Sequence, residues 1–232
     1  FTPLAFVTSD AVSYLFLERE KQPKKVLPFG VENVFGTDLT TPIRYPSTIE
    51  EVQQIVKEAK KDHKTISIIG AGMSQGTQTV PNQKNGIVIN LKNLNQVAFF
   101  DKGDQYIKAD AGAIWEQVQY EANKKGKSVI VKQASDLFSV GGSIGINCHG
   151  WQHDSGSIAS VVDSLEIIDA NGELRNVSRE KDPELFGCMF GTLGYFGIVV
   201  SATLRLEDNT FLQERGVDVP IKDFTEYYKS NV

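Results

Sequence analysis

The chain has 232 residues, 41% of them hydrophobic and 23% charged, with a formal net charge of −5. This composition suits a folded protein with one substantial core or two small ones and excludes a disordered chain. Nucleic acid is excluded as a main partner because there is no basic stripe to neutralise phosphates, and a transmembrane segment because no apolar run approaches the roughly 20 residues that cross a bilayer.

Residues 1–37 read as an irregular arm, with Pro23 and Pro28 set among Lys21, Lys24 and Lys25. Residues 1–6 are apolar but carry no basic leader, so no signal peptide is read, although a cleaved one would leave no trace. Periodicity begins at Ser47, which with Glu50 three residues later makes a capping box. Ile49, Val52, Ile55, Val56 and Ala59 then fall on one face of a helix expected to stop near Asp62. A strand over 65–69 delivers the chain into a first glycine loop, Gly70-Ala71-Gly72. Further strands are expected over 86–90, and over 97–100 and 106–109, the last two joined by the turn Lys102-Gly103-Asp104. A helix over 113–125 would bury Trp115, Val118 and Ala122 and end at Gly126. A strand over 128–131 leads to the densest feature, residues 139–157, which hold Gly141, Gly142, Gly145, Gly150 and Gly156 together with His149 and His153.

Beyond it, strands over 161–169 and 173–177 flank Asn171-Gly172, a pair that suits a type I′ hairpin turn because both central residues there need positive φ. A short helix over 182–186 and a third glycine-spaced segment over 191–197 follow. A long strand over 198–206 sets Val200, Ala202, Leu204 and Leu206 against Ser201, Thr203 and Arg205. Residues 211–219 look strand-like, and 223–228 helical.

Cys148 and Cys188 form no disulfide framework and read as reduced, buried thiols, which is compatible with a cytosolic setting. A dinucleotide-binding Rossmann fingerprint fails: Gln75 stands where a third glycine is needed, no helix follows at once, and the next strand ends in Asn90 rather than an acidic residue. A metal site built on Cys148, His149, His153 and Asp154 is disfavoured, because the surrounding glycines oppose the regular helix that an i, i+4 histidine pair needs. Adjacent Cys148 and His149 would also point to opposite sides of extended backbone. A diphosphate-containing ligand held mainly by backbone fits better. Successive N–H groups in tight glycine turns make anion-binding concavities, and Ser74, Thr77, Ser139, Ser143, Ser155 and Ser157 would add hydroxyl donors.

The ordered series Ile69-Gly70-Ala71-Gly72-Met73-Ser74, Val140-Gly141-Gly142-Ser143-Ile144, His149-Gly150, Gly156-Ser157-Ile158, the hairpin over 162–172 and Gly194-Tyr195-Phe196-Gly197-Ile198-Val199 resembles the FAD-binding, PCMH-type domain of the vanillyl-alcohol oxidase superfamily. The segment over 42–56 is similar to the usual start of that domain. Within the superfamily, the His-Gly element and the hairpin resemble the sugar-lactone oxidases and decaprenylphosphoryl-ribose oxidase. The resemblance implies an α+β fold of two α+β subdomains, about 38–110 and 111–207, with mixed sheets flanked by helices. It makes 208–232 the start of a substrate domain that a chain this short cannot hold, so the chain is expected to be part of a longer protein.

The resemblance also implies FAD as cofactor, with Gly70, Ala71, Gly72, Met73, Ser74, Gln75 and Gly76 around the pyrophosphate. Ser135, Val140, Gly141, Gly142, Ser143, Ile144 and Asn147 would run along the flavin and its phosphates. His149, Gly150, Ser155, Gly156 and Ser157 would lie near the flavin or ribityl chain, with Gly197, Ile198 and Val199 at another end of the cofactor. Many relatives attach FAD through a histidine at the place of Met73, so non-covalent FAD is expected here. The implied reaction is two-electron oxidation of an alcohol C–H bond of a small-molecule substrate, with oxygen or another electron acceptor. His149 and His153 are the candidates for a catalytic role, and a flavin-binding module without turnover is the alternative.

Overall fold

The computed structural model of the chain describes residues 42–74, 85–99, 103–152, 154–211, 213 and 216–231. The expected arm over 1–37, the Lys102 turn position, Gln75, Gly76, Thr77 and His153 lie outside the described residues.

The first layer is a β-α-β unit. β1 (Ile43–Arg44) leads to α1 (Ile49–Lys61), then β2 (Thr65–Ile69) and β3 (Gly86–Asn90), and the strands pair in parallel in the order β1-β3-β2. α1 ends at Asp62 as expected, and it buries Val52, Val56 and Ala59. Its cap is one residue later than the sequence suggested. Thr48, not Ser47, takes the N–H of Glu51 on its hydroxyl at 3.2 Å, and the Glu51 carboxylate reaches back to the Ser47 N–H. Consecutive hydroxyls and consecutive glutamates allow either register, and Thr48 has the extended backbone of a cap.

The second layer is a six-stranded sheet of β4 (Val97–Phe99), β5 (Tyr106–Asp110), β6 (Lys127–Val129), β7 (Val162–Ile168), β8 (Leu174–Ser178) and β9 (Ile198–Asp208). Its order is β4-β5-β9-β7-β8, with β6 also on β9 and every pairing antiparallel. β4 and β5 belong to this sheet, so the two sheets divide between Asn90 and Val97. α2 (Trp115–Asn123) packs one face through Trp115, Val118 and Ala122, all fully buried. With α3 (Val140–Gly145) and α4 (Pro183–Cys188), the expected α+β architecture of sheets flanked by helices is observed, but neither sheet is mixed: the first is parallel and the second antiparallel.

Two strand readings change. β9 is the central strand and is buried on both faces from Ile198 to Leu204, so Ser201 and Thr203 do not face water. Ser201 instead donates to Glu166 Oε2 at 2.6 Å, and Lys108 pairs with Glu166 Oε1 at 2.8 Å. Burial alone would raise the Glu166 pKa, but the bonds from Lys108 and Ser201 outweigh it and hold the carboxyl below its ordinary value. The neighbouring Asp110 is pushed up, chiefly by burial.

The β7–β8 turn is not type I′. Gly172 has φ +77°, but Asn171 is not in the positive-φ region. Gly172 N–H bonds the Asp169 carbonyl and Asp169 N–H bonds that of Glu173, while the Asp169 carboxylate accepts from the N–H groups of Asn171 and Glu173. This is a three-residue loop closed by one left-handed glycine. A Cβ on Gly172 would also sit 2.6 Å from Lys57 on α1, so this glycine lets the hairpin tip dock against the first layer.

The described residues within 211–219 form no strand, contrary to the sequence reading. A 3₁₀ turn over Ile221–Asp223 and then α5 (Phe224–Asn231) follow, the helix where it was expected.

Candidate cofactor site

α3 is the element the sequence hid. A Val-Gly-Gly start has poor helix propensity, yet residues 140–145 form a short helix because their backbone is held from outside. Ser139 caps the helix, Val140 N–H bonds the Ala113 carbonyl at 2.9 Å, and Gly141 N–H bonds that of Ala111 at 2.8 Å. The helix therefore lies tight against the end of β5. A Cβ on Gly141 would come within 2.8 Å of the Ala111 methyl.

The loop after β2 closes on the same point. Ser139 Oγ accepts from the N–H groups of Ala71 at 3.2 Å and Gly142 at 3.4 Å, and a Cβ on Gly70 would stand 1.9 Å from that oxygen. Between this loop, α3 and the start of β9 lies a cavity of about 400 Å³. The N–H groups of Gly72, Met73 and Ser74, on its rim, have no hydrogen-bond partner among the described residues. Apolar walls come from Ile68, Leu91, Ala111, Phe138, Ile146, Met189, Leu193 and Val199. Leu193 is held in the left-handed region, φ +55°, by a bond from its N–H to the Gly145 carbonyl at 2.9 Å.

The structure thus brings together Gly70, Ala71, Gly72, Met73, Ser74, Gly141, Gly142, Ser143 and Val199 around one cavity. Val140, Ile144 and Ile198 are buried in the core behind it. Ser135 accepts from the Leu137 N–H, and the Asn147 carboxamide accepts from the Ala159 N–H. Gly150 packs against Gln152 and the Lys132 carbonyl, Gly156 against Ser160, and Gly197 against the Ile168 carbonyl. Ser155 bonds Asp154, and Ser157 caps a 3₁₀ turn. None of these last residues lines the cavity.

His149 is exposed, with Nδ1 3.0 Å from the Gly150 carbonyl. A carbonyl only accepts, so Nδ1 is the donor in this bond. Cys148 is buried and its thiol is pushed up to about 11, mainly by burial, so it stays protonated and unreactive near neutral pH. Cys188 is only partly buried, less than the sequence suggested. Among the described residues no group of His, Cys, Asp and Glu is placed to hold a metal ion, and no helix is long and apolar enough to cross a membrane.

Gln133, Leu91, Ala111, Met189 and Leu193 also line the cavity and were not singled out from the sequence. Leu193 carried a signal, since it lies between Gly191 and Gly194 in a glycine-spaced segment. Gln133 carried none, because it lies in no glycine motif and outside any periodic element.

The FAD binding domain family matches residues 41–178. The chain is 32% identical over 190 residues to D-arabinono-1,4-lactone oxidase of Saccharomyces cerevisiae, covering 78% of this chain and 36% of that protein. It is 31% identical over 157 residues to decaprenylphosphoryl-beta-D-ribose oxidase of Mycolicibacterium smegmatis, covering 67% and 34%. It is 24% identical over 187 residues to L-gulonolactone oxidase of Bos taurus, covering 81% and 42%. Among solved structures, chitooligosaccharide oxidase superposes with a TM-score of 0.66 at 21% identity, over 72% of this chain and 36% of that one, and shares the fold. The chain spans about a third of the length of the curated relatives it matches. With both layers, the glycine-lined cavity between them and the family match in agreement, the chain belongs to the FAD-binding domain family of PCMH type.

Proposed function

We propose that this chain is the FAD-binding portion of an oxidoreductase that oxidises a CH–OH group of a sugar, lactone or polyol-like substrate. The observation that carries the reading is the cavity where the N–H groups of Gly72, Met73 and Ser74, without partners among the described residues, meet the Ser139-capped start of α3. Clustered backbone donors with no side chain between them suit a diphosphate, and the apolar walls at Phe138, Ile146, Leu193 and Val199 suit a flat ring system. When bound, FAD would supply the two-electron redox chemistry for this oxidation, with oxygen or another acceptor taking the electrons.

The chain's own part is to bind and orient. Gly70, Ala71, Gly72, Met73 and Ser74 with Gly141, Gly142 and Ser143 surround the phosphate-bearing part, and Val199 meets the cofactor at the strand end. His149, exposed and outside the cavity lining, is the chain's candidate to take or hold a proton from the substrate. The sugar-type substrate is drawn from the names of the relatives, which are lactone, ribose-derivative and chitooligosaccharide oxidases.

The cofactor is held without a covalent bond. Met73 stands where the family resemblance would put an attaching histidine, a thioether is no such nucleophile, and Cys148 is buried and protonated. Acid precipitation of the yellow protein should release all flavin to the supernatant; colour retained in the pellet would overturn this mode of binding. For the reaction, flavin absorbance should bleach anaerobically with at least one member of a panel of aldonolactones, sugar alcohols and oligosaccharides. No bleaching with any of them would favour a flavin-binding module without turnover.

A further inference from the structure

Trp115, Ser143 and Gln133 form a chain of hydrogen bonds from the core to the cavity. Trp115 Nε1 donates to Ser143 Oγ at 2.9 Å, and Ser143 Oγ lies 2.6 Å from Gln133 Oε1. The indole end has a fixed sense, because an indole N–H can only donate and Ser143 accepts from it. The Ser143 hydroxyl also meets Cys148, and it donates to Gln133 Oε1. The 2.6 Å separation is an O–H···O length, shorter than an N–H···O bond. The carboxamide of Gln133 is therefore oriented: its oxygen faces Ser143 and its NH₂ group is the free end.

That free end has somewhere to go. Gln133 lines the cavity, and its Nε2 has no hydrogen-bond partner among the described residues. It is not sealed off either, because Thr65 Oγ1 is the one buried side-chain polar atom among the described residues without a partner. A donor pre-oriented by a buried tryptophan and serine, and left accessible on a cavity lining, is built for an acceptor.

We infer that Gln133 is a cofactor-binding residue whose side-chain NH₂ donates to an acceptor atom of FAD. The short bond from Ser143 to Gln133 Oε1 sets the amide with its NH₂ toward the cavity. This rests on the reading of the cavity as the FAD site. Ser143 on this view does not contact FAD through its hydroxyl, which is engaged by Trp115, Gln133 and Cys148.

The test compares FAD affinity of the purified, flavin-stripped protein with that of Gln133→Glu and Gln133→Met, by quenching of flavin fluorescence, with circular dichroism of the flavin-free proteins as the folding control. Gln133→Glu keeps an oxygen for Ser143 but replaces the free donor with an anionic acceptor. It should bind FAD at least about tenfold more weakly, and Gln133→Met about threefold to tenfold more weakly. If Gln133 serves only to satisfy Ser143, Gln133→Glu will bind as the wild type does, and that result overturns the inference. Should Gln133→Glu fail to fold, Gln133→Met decides alone, unchanged affinity counting against. Wild-type protein that takes up no FAD would instead overturn the assignment of the cavity, and this inference with it.

Discussion

The hydroxyl of Ser139 stands where a Cβ on Gly70 would have to be, 1.9 Å from that position, while accepting the N–H of the next residue, Ala71, at 3.2 Å. One small side chain on the second layer and one absent side chain on the first therefore set how closely the β2 loop approaches α3. Gly70→Ala should cost about 2 kcal/mol or more in urea denaturation, since the backbone must move apart. Ser139→Ala should cost about 1–2 kcal/mol through the lost cap and two unpaired N–H groups. The double variant Gly70→Ala with Ser139→Gly should be more stable than the sum of its parts, because the clash is gone. Simple additivity would show that the two residues do not meet.

Leu193 holds a left-handed backbone that a leucine adopts at a cost of about 1–2 kcal/mol. It is half exposed and lines the cavity, so the strain is not offset by deep burial. Leu193→Gly should leave thermal stability unchanged or raised by up to about 1 kcal/mol, while weakening FAD binding through loss of an apolar wall. A clear fall in melting temperature of the flavin-free protein would contradict this.

Glu166 should make the fold acid-labile. Its folded pKa lies below its ordinary value of 4.5, so its contribution is complete above that pH and is lost as pH falls through the folded value. Asp110 acts in the opposite sense. Its folded pKa is raised, so its ionisation opposes folding as pH rises above its ordinary 3.8, and acid relieves that cost. Melting temperature measured from neutral pH to about pH 3 should fall less steeply in Glu166→Gln than in the wild type, and more steeply in Asp110→Asn.

Cys148 should resist alkylation in the native protein at pH 8, with its buried thiol pushed up to about 11. Mass spectrometry after brief iodoacetamide treatment should find Cys188 modified ahead of Cys148, and denaturant should expose both. Rapid native labelling of Cys148 would show that the segment behind α3 opens readily.

The sequence was most legible where local chemistry and tertiary packing agree. β2 and β3 match their predicted bounds because each is a short β-branched run whose ends carry turn or polar residues. α2 buried the three residues its periodicity marked. Errors arose where distant partners decide. α3 is built from glycines that disfavour a helix, and it exists because Ala111, Ala113 and Ser139 bind its first turn. Ser201 and Thr203 alternate with the apolar residues of β9 in the sequence, yet the strand is buried on both faces there and Ser201 donates to Glu166 on β7. Of the site, the glycines announced themselves because close backbone approach leaves a compositional mark. Gln133 left none, since its importance comes from a tryptophan and a serine at other places in the chain.

The central claim is that the cavity between the two layers holds FAD. Titration of the purified, flavin-free protein with FAD, followed by flavin fluorescence quenching, should reach saturation at one FAD per chain, and Gly141→Val, which fills the contact with Ala111, should abolish uptake. A wild-type protein that leaves added FAD free in solution, or a Gly141→Val protein that folds and binds it equally well, would contradict the account.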